Sequence, residues 1–228
     1  MRTLAALGAS LAFALSLISL SHGFADLGAG SARAWMHEWH QRGQVTSAAQ
    51  WTTAFERLTL ARQLNPLNAD YSADLGRLTD WYSWVQAARN ENVTASRALA
   101  GELYGESITK RPSWGFAWAH YAENKILSGQ FGSDLEQVLK KSIELAPWEP
   151  GVQLKVAFAG MATWDSLSPD LRGAVKHSIE RAVQLDVHRH DIVRLAIQYD
   201  WLENLTPMMR SERQIATLNF VLETTGRR

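Results

Sequence analysis

The sequence predicts an all-α fold, built as an irregular helical-repeat solenoid behind an apolar N-terminal helix. Three observations support this prediction. A helical run that ends in Leu-x-Pro or a close equivalent occurs four times in the 228 residues. Small and large residues recur at helical spacing before each of these ends. No stretch alternates polar and apolar residues between hairpin turns, as β-strands would.

An apolar segment opens the chain. Arg2 precedes an apolar run, and the first acidic residue is Asp26. The basic start and the Gly-Phe-Ala ending are typical of a secretory signal that is cleaved after Ala25. An uncharged run of about 20 residues is also long enough to span a bilayer as an uncleaved anchor, with the N-terminus in the cytoplasm. The predicted divisions are a signal-anchor helix or signal peptide at 1–25, a juxtamembrane segment at 26–46 and a helical domain at 47–228.

The four repeated phrases share one physical pattern. Small residues let two helices approach closely, large residues fill the gaps, and a proline ends the second helix of each pair. Pro66, Pro112 and Pro147 end the first three phrases, and Val187 stands where the fourth proline is expected. The residues that carry this repeat signature are Ala54, Leu58, Ala61, Pro66, Leu75, Gly76, Ala100, Tyr104, Pro112, Trp118, Pro147, Trp148, Pro150 and Ala182.

This signature resembles the tetratricopeptide repeat, a pair of helices of about 34 residues with Leu-Gly on the first helix and a late proline after the second. Only the interval from Pro112 to Pro147 is close to that period. We therefore expect additional loop residues around 88–94 and 166–170, and about eight helices in addition to the N-terminal one. The stretch from Pro207 to Arg228 is expected to form one further amphipathic helix, because its apolar residues recur at helical spacing. The resemblance implies a tetratricopeptide-like solenoid that presents surfaces to partners.

Four stretches are more distinctive than the repeat itself: 64–71, 75–78, 111–118 and 145–150, which ends in Pro-Trp-Glu-Pro. In these stretches the chain is similar to the VpsP-type polysaccharide-biosynthesis proteins of bacterial exopolysaccharide clusters. The resemblance implies an accessory role in making or exporting extracellular polysaccharide. It supplies no catalytic set of residues.

Composition excludes several classes of protein. Lysine plus arginine and aspartate plus glutamate both number 23, so no excess of positive charge favours a nucleic-acid partner. The chain has no cysteine, which excludes disulfides, thiolate zinc sites and a lipid-modified cysteine. Ten tryptophans are present. They either fill gaps between helices or, where exposed, bind a sugar or a partner.

Candidate catalytic and metal-binding patterns are weak. Gly-x-Ser-x-Gly and a glycine-rich phosphate loop are absent from the sequence. Histidine pairs have metal-ligand spacing but lack an evident third ligand. Two acids four residues apart invite comparison with glycosidases, although such helical pairs are usually solvated. The residues concerned are His37 and His40, His188 and His190, and Glu102 and Glu106. We predict no catalytic, metal-binding or cofactor-binding residues.

The remaining candidate surface is the inner groove of the solenoid, which the first helix of each pair would line. This groove lacks a basic cluster for a peptide carboxylate, and it suits an apolar protein segment or a sugar stacked on aromatic rings. The alternative is that Phe116, Phe158 and Met161 are core residues. The candidate groove residues are Arg77, Asp80, Trp84, Phe116, Glu123, Phe158 and Met161.

These observations predict a non-enzymatic adaptor, anchored in the bacterial inner membrane by its N-terminal helix, with its helical domain in the periplasm. Its expected partners are protein components of a polysaccharide synthesis or export machinery. The alternative localisation is secretion to the periplasm after cleavage near Ala25. The alternative functions are a polysaccharide-binding module that uses exposed tryptophans, a general cell-envelope assembly factor, and a glycan-trimming enzyme.

Overall fold

All regular structure among residues 2–226 is helical, which confirms the predicted all-α class. The computed structural model describes the backbone of these residues and the side chains of residues 7–226. The α-helices in this range are α1 (Arg2–Arg42), α2 (Ala48–Leu64), α3 (Ala69–Ala88), α4 (Thr94–Lys110), α5 (Gly115–Leu127), α6 (Ser133–Leu145), α7 (Pro150–Ala162), α8 (Pro169–Ala182), α9 (Asp186–Gln198), α10 (Leu202–Leu205) and α11 (Glu212–Thr224). The chain divides into two compact units, Met1–Arg111 (unit 1) and Pro112–Arg228 (unit 2).

Helix α1 has two halves with different surroundings. Every side chain from Leu7 to Leu20 is exposed, and the helix is long and apolar enough to cross a membrane. The helix does not break at residue 25. Instead, its second half buries one side chain every three or four residues against the rest of unit 1. These buried residues are Ala25, Ala29, Ala32, Met36 and Trp39. The segment after residue 25 is therefore part of the core of unit 1.

Unit 1 consists of two helical hairpins, α1 with α2 and α3 with α4. The side chain of Ser47 caps the start of α2, and that of Asn68 caps the start of α3. Gly76 permits the close packing of α3 on α4, because a Cβ atom there would lie 2.8 Å from the ring of Tyr104. Gly76 and Tyr104 of the repeat signature thus pack against each other.

Unit 2 repeats the hairpin arrangement with α5 and α6, followed by α7 and α8. The first helices of successive hairpins, α5, α7 and α9, are neighbours, and so are α6 and α8. Glycine again permits close approach, since a Cβ atom on Gly160 of α7 would meet Val175 of α8 at 2.2 Å. Among the signature residues, Ala182 is buried in the core, whereas Trp148 is 75% exposed.

The turns before α5, α7 and α9 are closed by the same hydrogen bond. In each turn a side-chain N–H group donates to the backbone carbonyl oxygen six residues earlier in the chain. The three bonds join Trp118 to Pro112 at 2.8 Å, Gln153 to Pro147 at 2.9 Å and Arg189 to Val183 at 2.7 Å. The three turns therefore share one hydrogen-bond geometry. The donor is a different residue type in each turn, so this repeat cannot be recognised from the sequence.

Two sequence-based boundaries require correction. Val187 was expected at the end of the second helix of the fourth pair, but α8 ends at Ala182 and Val187 lies inside α9. A single helix was expected from Pro207 onwards, but Pro207 lies in a short 3₁₀ helix and α11 begins at Glu212. A capping box between Ser211 and Gln214 fixes that start. The expected loop around 88–94 joins α3 to α4, whereas the loop expected around 166–170 lies earlier, at 163–168, because α8 already begins at Pro169.

Candidate partner-binding site

The predicted groove residues of unit 1 lie on α3, beside a buried carboxylate. Asp74 is buried and is held by Arg33 Nε at 2.6 Å and by Arg77 Nη1 at 3.2 Å. Burial raises the pKa of Asp74, while the two guanidinium groups oppose this effect. Arg77 therefore has a structural partner within its own unit. A substitution of Arg77 would disturb this buried ion pair as well as any surface function.

The other two groove candidates of unit 1 differ sharply in exposure. Asp80 is buried and accepts a hydrogen bond from the hydroxyl group of Tyr104 at 2.8 Å. Trp84, one helical turn further along α3, is 55% exposed. Of these two residues, only Trp84 offers a large apolar surface that a partner could cover.

In unit 2, Glu123 of α5 lies at the centre of a charged cluster. Its carboxylate forms an ion pair with Lys155 of α7 and lies 3.5 Å from Nδ1 of His120. Burial by itself would raise the pKa of Glu123, but Lys155 and His120 outweigh that effect and hold the pKa at about 2. The cluster joins the first helices of two successive hairpins and keeps a carboxylate charged at their surface.

Aromatic side chains flank this charged cluster. Phe116 meets His120 edge-on with ring centroids 4.4 Å apart. Phe158 of α7 meets Tyr199 after α9 edge-on at 6.0 Å. Both phenylalanines are half-buried, so part of each ring remains accessible. Met161 is buried in the core of unit 2. It is therefore a core residue, as the alternative interpretation of the sequence stated, and it does not contribute to the accessible surface.

The surface formed by α5, α7 and α9 thus combines charged groups and aromatic edges, and we call it the inner-helix face. Sequence reasoning identified Phe116, Glu123 and Phe158 but missed Lys155 and Tyr199. His120 was detectable, because it lies three residues before Glu123 on the same helix. A face of this composition can bind a protein segment that carries both apolar and charged side chains.

Unit 2 also contains an open cleft of about 380 Å³ between α5 and α6. Trp118 and Tyr121 supply aromatic surface, and the ammonium group of Lys125 lies 4.9 Å from the ring centroid of Tyr121. Asp134 and Gln137 add hydrogen-bonding groups at its wall. The volume of this cleft and the residues that line it are suited to a small polar ligand with one apolar face.

The histidine pairs make contacts of their own. His37 lies 3.0 Å from the side-chain amide of Gln41, and His40 meets Trp81 edge-on. His188 lies 4.0 Å from Asp191, and the ring of His190 contacts Phe220. Among the described residues, no group of three or more His, Asp or Glu side chains could hold a metal ion.

The two acidic residues of α4, Glu102 and Glu106, have different surroundings. Glu106 binds Lys110 at 2.6 Å and Arg62 at 3.0 Å. Although burial opposes the effect, these cations lower the pKa of Glu106. A glycosidase general acid requires the opposite shift. Glu102 is exposed on the same helix.

Together, the fold and these surfaces define a helical-repeat-like all-α protein with a long apolar N-terminal helix. The chain matches no protein-family model and no curated protein.

Proposed function

We propose that this protein is a non-enzymatic adaptor, anchored in the bacterial inner membrane, that assists exopolysaccharide biosynthesis, polymerisation or export. Its contacts are with protein components of that machinery. The observation that carries the proposal is the continuity of α1, which joins an exposed apolar segment directly to the core of a helical-hairpin unit. Such a protein holds binding surfaces at a membrane.

The structure of α1 favours an uncleaved anchor over a removed signal peptide. Ala25 is buried, and the hydroxyl group of Ser21 donates to the carbonyl oxygen of Leu64 at 3.0 Å. A chain cut after Ala25 would lose both interactions. As an α-helix, residues 3–20 extend about 27 Å, close to the ~30 Å hydrocarbon core of a bilayer.

The orientation follows from the charge at the N-terminus. Arg2, which precedes the apolar run, favours the cytoplasmic side, and this orientation directs both units into the periplasm. The side chain of Arg2 lies outside the described residues, so this step rests on the sequence. The exopolysaccharide assignment rests on the stretches 64–71, 75–78, 111–118 and 145–150, which resemble the VpsP-type proteins.

A clean in-frame deletion tests the pathway, with cell-associated and secreted polysaccharide as the readout. We expect polymer to be lost and to return with the intact gene. Unchanged polymer would exclude the exopolysaccharide role and favour a general cell-envelope assembly factor.

Tagged protein purified from intact membranes should enrich membrane proteins of the same pathway, and failure to enrich any of them would exclude the adaptor mechanism.

Trp84→Ala tests the groove prediction in unit 1. As an exposed aromatic anchor, Trp84 is expected to contribute roughly 2 kcal/mol to partner binding, so its loss should reduce both co-purification and polymer yield. Trp148→Ala is the matched control, because Trp148 is also a largely exposed tryptophan. Equal co-purification and yield with the two variants would contradict a specific role for Trp84.

The cleft in unit 2 favours a second candidate function, polysaccharide binding. Aromatic faces beside carboxylate and amide groups match a sugar ring, which has an apolar face and a hydroxyl rim. We expect native polymer to change the tryptophan emission of the purified protein, Tyr121→Ala to weaken that response, and Trp148→Ala to retain it. Unchanged emission together with no retardation in polymer-containing gels would exclude this function.

A further inference from the structure

Helix α2 is antiparallel to α1 and returns the chain to the level at which the exposed segment of α1 ends. The bond from Ser21 to the carbonyl oxygen of Leu64 places the end of α2 beside this point. The hydroxyl group of Tyr71, in the first turn of α3, donates to Asp26 at 2.5 Å. The turn between α2 and α3, residues 65–68, therefore lies beside the last residues of the apolar segment.

Four large apolar side chains are exposed at this end of unit 1. They come from α1, from α2 and from the turn, and each is between 54% and 85% exposed. Single exposed apolar residues are ordinary, but a group at one end of a folded unit is not. We call this group the apolar rim, and its members are Phe24, Leu27, Leu60 and Leu67.

The rim is continuous with the membrane-spanning segment. Phe24 and Leu27 extend the exposed stripe formed by Phe13, Leu17 and Leu20, with alternating spacings of three and four residues along one face of α1. The helices approach closely at Gly28, where a Cβ atom would lie 3.7 Å from a carbonyl oxygen of α2. That oxygen belongs to Arg57, one turn before Leu60, so Leu60 lies near the level of Phe24.

We propose that the apolar rim contacts the surface of the phospholipid bilayer and forms a second attachment of unit 1 to the membrane. This inference rests on the uncleaved anchor of the proposed function. Because α1 has no break between its exposed segment and the core of unit 1, placing residues 3–20 in the bilayer fixes the height of the rim.

The dimensions fit the interfacial layer of a membrane. From Leu20 to Leu27 the helix rises about 10 Å, which is comparable to the ~5–10 Å depth at which interfacial helices bury their apolar faces. Two acids lie at this level, and both have partners: the carboxylate of Asp26 accepts the hydrogen bond from Tyr71, and that of Asp70 forms an ion pair with Arg111 at 3.3 Å. The second attachment would restrict rotation of unit 1 about the axis of α1.

The absence of cysteine permits a direct test with single labels on the full-length chain. Leu67→Cys places an environment-sensitive dye on the rim. Gln44→Cys is the control, because Gln44 is exposed in the turn that follows α1, at the opposite end of that helix. Both proteins are reconstituted in phosphatidylcholine vesicles, with and without lipids that carry a spin label near the headgroup.

We expect the dye at position 67 to show blue-shifted emission and to be quenched by the spin-labelled lipid. The dye at position 44 should show water-like emission without quenching. Water-like emission at both positions in vesicle-inserted protein would overturn the inference and would favour a protein as the occupant of the rim. Loss of residues 1–25 from cell-purified protein, detected by mass spectrometry, would overturn it together with the anchor. The pathway assignment is tested separately by the polymer measurement.

Discussion

Trp39→Ala is expected to destabilise unit 1 by about 3–5 kcal/mol, the range for replacing a fully buried tryptophan with alanine. Trp39 lies on the second half of α1, has no exposed surface and donates its indole N–H to Thr46 Oγ1 at 3.1 Å. The substitution leaves a cavity beside α2 and removes the anchor point of the turn that follows α1. Small domains are stable by only about 5–15 kcal/mol, so this loss is a large fraction of the total.

The measurement is urea unfolding of the detergent-solubilised full-length protein, followed by circular dichroism and by limited proteolysis that resolves fragments of unit 1. Trp84→Ala serves as the matched control and should change the free energy of unfolding by less than about 0.5 kcal/mol, because that side chain is largely exposed. If both variants unfolded at the same urea concentration as the unmodified protein, the second half of α1 would not be part of the core.

This prediction shows where sequence reasoning on α1 fell short. Hydropathy identified an apolar segment but not the packing of the helix beyond residue 25. The buried residues there recur every three or four positions, yet three of them are alanines, whose contribution to an apolar stripe is small. Their burial follows from contact with α2, which no local pattern specifies. The segment was therefore assigned as a juxtamembrane region.

The repeat signature was a better guide to the residues that pack between helices than to the residues that are exposed in the groove. Leu58, Tyr104 and Ala182 are buried as helix-pairing residues, because close approach requires particular sizes at particular positions. The groove was assigned from an ideal repeat, and there Asp80 and Met161 were placed on an accessible face although both are buried. Irregular spacing between hairpins changes which side of a helix faces solvent. Residue spacing alone does not report that change.

The sequence predicted only part of the charged cluster of the inner-helix face. Glu123 was a candidate, but its partner Lys155 lies on another helix, 32 positions further along the chain. Pairs of this kind depend on how two hairpins stack, which is a tertiary property. The cluster also gives unit 2 a measurable dependence on pH.

Glu123→Gln is expected to destabilise unit 2 by about 2 kcal/mol at neutral pH. The substitution keeps the size of the side chain but leaves the ammonium group of Lys155 without its carboxylate partner. Breaking a fully buried ion pair costs about 3–5 kcal/mol. We expect less here because Glu123 and Lys155 are 25% and 20% exposed. Glu144→Gln is the matched control, since that exposed carboxylate pairs with Lys141 at 3.2 Å and should contribute under about 1 kcal/mol.

The pH dependence of stability separates the ion pair from a packing effect. The pKa of Glu123 is about 2 in the folded protein, below its ordinary value of 4.5, so folding favours the charged carboxylate. The resulting stabilisation is fully present above about pH 5 and is lost as the pH falls from 4.5 towards 2. The unmodified protein should therefore lose about 2–3 kcal/mol more than Glu123→Gln over this range.

Other carboxylates also titrate in this window, so the quantity to compare is the difference between the two proteins. Glu106 and Asp186 have lowered pKa values and are present in both, which removes their contribution from that difference. A stability difference that stays constant from pH 7 to pH 3 would show that the destabilisation by Glu123→Gln does not depend on the charge of Glu123. A difference that disappears at low pH would show that a charged carboxylate joins α5 to α7, and that acidification loosens the inner-helix face.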